Sequence, residues 1–136
     1  MAGALPEAKQ RLAGLSRLLV AVGAIEGAAG VAFAAVSAHA VPSEALGSAA
    51  TLLMVHAGVV AGLALISTHC EARLGRLLRL PAALIALGVA LFALSIALRV
   101  LAGVALPAGV APLGGSITIV GWLTLLIPAV LSGPKG

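Results

Sequence analysis

Four predominantly apolar stretches of about 20 residues each dominate this chain of 136 residues. About 20 residues at ~1.5 Å rise is the length an α-helix needs to cross ~30 Å of hydrocarbon. The pattern predicts helices over 18–38, 49–68, 82–101 and 113–131, joined by short links. The first link holds Pro42, the second runs from His69 to Arg79 and is charged, and the third, Ala102 to Pro112, is rich in Pro and Gly. The fold class that follows is all-α: an integral membrane four-helix bundle forming a single domain over 1–136. Composition agrees, with 62% hydrophobic and 9% charged residues and a mean hydropathy of +1.23, whereas soluble domains are about half apolar and a quarter charged. No stretch is left over for a separate soluble domain.

The eight basic residues are split unevenly between the two sides of such a bundle. Lys9, Arg11 and Arg17 precede the first helix, Arg73, Arg76 and Arg79 fall in the second link, and Lys135 ends the chain; Arg99 stands alone on the other side. Basic residues accumulate in cytoplasmic loops, so both termini are expected to face the cytoplasm. The formal net charge of +4 then reports topology and contact with anionic lipid headgroups, and nucleic acid is not an expected partner. Ala38-His39-Ala40 after a basic start resembles a signal-peptide cleavage site. The apolar stretch before it exceeds a signal h-region of roughly 7–15 residues and contains Glu26, so the first helix is expected to be retained.

Glu26 is the only acidic residue inside an apolar stretch, and an intramembrane carboxyl is a functional hypothesis by default. From Leu18, Glu26 lies ~12 Å into the hydrocarbon, while Trp122 lies ~15 Å below the opposite boundary. The similar depths lead to an expected Glu26–Trp122 hydrogen bond, direct or through Thr118, Ser95 or a water, with a neutral acid because burial disfavours charge. Close helix approach is expected at Gly23/Gly27 and Gly58/Gly62, two GxxxG pairs, and at Gly88 and Gly121, since packing of small faces supplies contact that lipid does not drive. Gly114 and Gly115 are expected to form a bend with close backbone approach where the fourth helix begins.

A second polar group gathers at the other side: His39, Glu44, Arg99 and, ~9 Å down the second helix, His56. Arg99 is expected to anchor at the interface by snorkelling or to pair with Glu44. His39 and His56 are the candidates for a haem, copper or zinc ligand pair. No fixed ligand spacing such as HExxH accompanies them. His69, Cys70 and Glu71 are adjacent and so point in different directions along a helix. The chain has no Asp, no phosphate loop, no GxSxG and no neighbouring pair of carboxylates. An enzyme is not expected.

The ordered motifs GAIEGAAG with the Ala38–Ala40 AHA, MVHA around Met54 and His56, LFALS ending at Ser95, and APLGGSITIVGW from Ala111 to Trp122 resemble the YgdD-like small membrane proteins, also called domain of unknown function 423. The resemblance implies a fold of four transmembrane helices, a place in bacterial inner membranes and no established activity. The family usually carries Asn where this chain has Glu26, an aromatic–His pair where it has Leu52 and Leu53, and Tyr where it has Ala97. His39, His56, Ser95, Gly114, Gly115 and Trp122 stand in matching positions. A site made from these residues would lie in the outer half. A small, loop-poor chain with GxxxG faces and no soluble domain has helix packing as its main resource, which suits a non-enzymatic accessory or stabilising subunit of a larger membrane complex, or a homo-oligomer. The alternatives are a small transporter or channel component using Glu26, and a haem or metal binder using His39 and His56.

Overall fold

The computed structural model describes the backbone over residues 4–131 and the side chains over 14–131. Lys135, and the side chains of Lys9 and Arg11, lie outside the described residues. Five helices follow one another: α1 (Ala4–His39), α2 (Glu44–His69), α3 (Ala72–Leu101), α4 (Val110–Thr124) and α5 (Leu126–Leu131). Four stretches within them are long and apolar enough to cross a membrane, Gly14–His39, Glu44–His69, Ala72–Leu101 and Val110–Leu131.

α1, α2 and α3 outrun the apolar stretches that announced them, because hydropathy marks the length in hydrocarbon and not the length of the helix. The largest difference is at α3. The stretch 69–79, expected as a link, is mostly helix, and only Cys70 and Glu71 separate α2 from α3. Apart from Gly75, its RLGRLLRL run is built of good helix formers, and Pro81 is accommodated inside the helix despite its missing N–H. At the other end, Ser43 caps α2 by accepting from the Leu46 N–H at 3.2 Å, and Ser37 Oγ donates to the Ser43 carbonyl at 2.8 Å. Gly103, with φ +67°, turns the chain out of α3 so that the Val104 N–H reaches the Leu98 carbonyl at 3.0 Å. Pro128 stands four residues after Thr124, where its ring and missing N–H oppose a continuous helix, and the chain breaks between α4 and α5 at Leu125.

α1, α2 and α3 pack mutually, whereas α4 packs on α3 and the short α5. The core is therefore a three-helix seam, with Leu19 from α1, Leu53, Val60 and Ala64 from α2, and Ala82, Ile85, Val89 and Ala93 from α3. Two glycine-lined contacts bring backbones together. A Cβ on Gly23 would meet the Ala57 carbonyl at 2.9 Å and one on Gly30 the Ala50 carbonyl at 2.9 Å, both on α2. On the other side a Cβ on Gly114 would lie 2.6 Å from the Phe92 nitrogen and 2.7 Å from the Gly88 carbonyl, and one on Gly121 would lie 2.7 Å from the Ile85 side chain. Gly114 and Gly115 thus form no bend: α4 has already begun at Val110, Gly114 faces α3, and Gly115 has open space where a Cβ would stand. The GxxxG pair of α2 departs from expectation as well. Gly58 and Gly62 have no neighbour within 4 Å of a Cβ position among the described residues, so this pair makes no close helix contact there.

Candidate functional site

Hydroxyls along the helices are satisfied locally. Ser95 donates to the Phe92 carbonyl at 2.7 Å, Thr118 to Gly114 at 3.0 Å, and Thr124 to Gly121 at 2.7 Å. Such back-bonds within one turn leave a polar side chain with little pull on a neighbouring helix. The buried polar groups that remain are Glu26, His56 and a Ser16–Ser67–Arg79 cluster.

Glu26 is 5% exposed, and neither carboxyl oxygen has a hydrogen-bond partner. Leu19 and Phe33 stand seven residues before and after it on the same helix face; Leu19 belongs to the core and Phe33 packs against it. The carboxyl is therefore inserted into the apolar seam between helices. The expected bond to Trp122 does not form. α4, which carries Trp122, packs on α3 and not on α1, so a match in depth along the membrane normal was not a match in direction around the bundle. Thr118 and Ser95 make no bridge either, each being bonded to its own helix.

Trp122 instead meets His56. Their rings are 6.0 Å apart and inclined at 73°, the edge-to-face geometry favoured by a ring quadrupole. His56 is 7% exposed, and its Nδ1 lies 2.7 Å from the Leu52 carbonyl, which that nitrogen satisfies as a donor. Trp122 remains 42% exposed. This pair ties α4 to α2 at the level of the seam. Nothing in the sequence singled it out, although APLGGSITIVGW and MVHA both carried one member.

His39 and His56 are not brought together. α2 begins at Glu44 rather than near residue 50, which sets His56 ~18 Å along the helix from that end. His39 closes α1 at the end and is exposed. No group of three or more His, Cys, Asp or Glu side chains able to hold a metal ion occurs among the described residues. Arg99 and Glu44 are both exposed and no ion pair joins them; Arg99 lines a cavity of about 130 Å³ with Ala45, Ser95, Ile96 and Pro107.

The last cluster lies at the opposite, basic end of the helices. Arg79, expected in a loop, is on α3 and only 6% exposed. Its Nε donates to Ser16 Oγ of α1 at 2.8 Å and to Ser67 Oγ of α2 at 3.1 Å. The two hydroxyls are 3.0 Å apart, and Ser67 also donates to the Ala64 carbonyl at 2.7 Å. Gly75, one turn before Arg79, makes room: a Cβ there would meet the Ser67 carbonyl at 2.6 Å. Sequence reasoning missed this cluster. The RLGRLLRL spacing places Arg76 and Arg79 as neighbours on one side of a helix, so the sequence carried no signal that Arg79 turns inward while Arg76 stays exposed.

Four membrane-length helices with almost no polar interior define a small multi-pass membrane protein. Residues 32–115, more than half of the chain, match the family described as "Protein of unknown function (DUF423)", and the chain belongs to that family. No curated protein and no solved structure matches it.

Proposed function

We propose that this protein is a non-enzymatic subunit of a larger membrane assembly, seated in the bacterial inner membrane with both termini cytoplasmic. The observation that carries the reading is the unpartnered Gly58–Gly62 face of α2. α2 presents Thr51, Val55, Gly58 and Ile66 outward there, a small-residue surface of the kind transmembrane helices use for close approach. α4 supports the same reading, since it packs on α3 and α5 and leaves most of its apolar surface, including Leu113, Ile119, Val120 and Leu123, outward. The partner this surface suits is another membrane helix with a small-residue face. Local satisfaction of Ser95, Thr118 and Thr124 argues against a polar path through the protein, which needs several groups lining a cavity.

The test is native mass spectrometry of the protein released gently in its own lipid, comparing wild type with a Gly58→Leu/Gly62→Leu double variant. Co-purifying subunits that the variant loses, with its own fold unchanged, support the reading. A wild-type protein released only as a bare monomer sinks it. A second reading, ion coupling, draws on one observation, the buried and unbonded Glu26 carboxyl. Flux through proteoliposomes that Glu26→Gln abolishes would favour it over assembly.

A further inference from the structure

A buried guanidinium with no carboxylate partner among the described residues is an electrostatic demand still unmet. Arg79 gives its Nε to two serine hydroxyls, while its Nη1 is buried and has no hydrogen-bond partner. Serine dipoles solvate a cation weakly compared with an anion. In front of this cluster, between α1 and α2, opens a cleft of about 370 Å³ lined by Ser16, Arg17, Val20, Ala64, Leu65 and Thr68. Its lining sorts by chemistry. Ser16, the hydroxyl that Arg79 Nε donates to, lies at the polar end with Thr68 and the exposed Arg17. Val20, Ala64 and Leu65 continue the wall toward the membrane interior along the two helices.

We propose that this cleft is a binding site for one anionic phospholipid, with the phosphodiester between Arg17 and Thr68 over the Ser16–Arg79 pair and an acyl chain along Val20, Ala64 and Leu65. Three features select this occupant. The positive charge of Arg17 and of Arg79 behind Ser16 calls for an anion, and basic pockets between membrane helices are suited to anionic headgroups. The apolar wall calls for a chain attached to that anion, which a free phosphate lacks. The cleft also sits at the basic end of the helices, where a headgroup would lie. The site is independent of the assembly reading, since it is on the α1–α2 surface and needs no second protein.

The experiment uses the purified full-length chain and counts lipids retained in native mass spectra after exchange into phosphatidylglycerol or phosphatidylcholine. One phosphatidylglycerol is expected to be retained in preference to phosphatidylcholine. Arg17→Gln with Thr68→Val should weaken retention by about tenfold or more, the loss of a charge-assisted contact. Arg73→Gln, which removes the same charge from an exposed position of the same end outside the cleft lining, should leave it unchanged. Equal loss in Arg73→Gln, or equal retention of the two lipids, overturns the proposal by reducing it to general surface attraction. Thermal stabilisation by millimolar inorganic phosphate as large as that by phosphatidylglycerol also overturns it, in favour of a free-anion site. Arg79→Gln tests the cluster directly. If it fails to fold, the Arg17 and Thr68 comparison still decides.

Discussion

Glu26 sits where an apolar side chain would serve stability better. A buried polar group left without a partner costs about 1–3 kcal/mol, and both oxygens of this carboxyl are in that state. Glu26→Met, close in shape, is therefore expected to raise unfolding stability by about 1–3 kcal/mol, read from chemical or thermal unfolding in micelles. A loss of stability instead would mean that the carboxyl is held by a bond in the folded protein. Glycines divide just as sharply. Gly114→Ala would place a methyl 2.6 Å from the Phe92 nitrogen and 2.7 Å from the Gly88 carbonyl; both are backbone, so α3 and α4 must move apart at a cost of about 1–3 kcal/mol. Gly115→Ala, one residue on, meets nothing within 4 Å and should gain up to about 1 kcal/mol from helix propensity. The same unfolding measurement separates them, and equal effects would contradict the packing of α4 on α3.

At the scale of the element, helix ends and breaks follow local rules that hydropathy does not carry. Ser43 is a cap with its acceptor in use, and Pro128 explains why the fourth membrane-length stretch is two helices and not one. Gly103 is the single described residue in the left-handed region, where a Cβ strains the backbone. No atom lies within 4 Å of its Cβ position, so Gly103→Ala isolates that strain. It should cost about 1–2 kcal/mol, measured against Gly109→Ala, also in open space but with no left-handed φ. If the two variants are equally stable, the turn after α3 relaxes without consequence.

For the whole molecule the decisive asymmetry is that three helices share a core while the fourth leans on one of them, aided by the His56–Trp122 contact. That arrangement leaves α2 and α4 with apolar surface that only lipid or another helix can cover. Topology has a convenient reporter in Cys70, the single cysteine, half-buried in the short α2–α3 link. With both termini cytoplasmic, a membrane-impermeant maleimide should label it in inverted vesicles and not in right-side-out cells. Labelling from outside would invert the orientation and move the phospholipid cleft to the outer leaflet.

Four apolar runs and the residues at Gly23, Gly27, Gly88 and Gly121 determined, by themselves, an all-α membrane fold with close glycine contacts. Hydropathy and small side chains are one-dimensional properties, and the length of a run translates directly into a span. What the sequence left undecided is direction around each helix. A depth can be counted at ~1.5 Å per residue, which is why Glu26 and Trp122 looked like partners. Which neighbour a side chain faces depends on the order in which helices pack, and only the tertiary structure put α3 between α1 and α4, turned Gly58 and Gly62 outward, and carried Arg79 from an expected loop into a buried contact with Ser16 and Ser67.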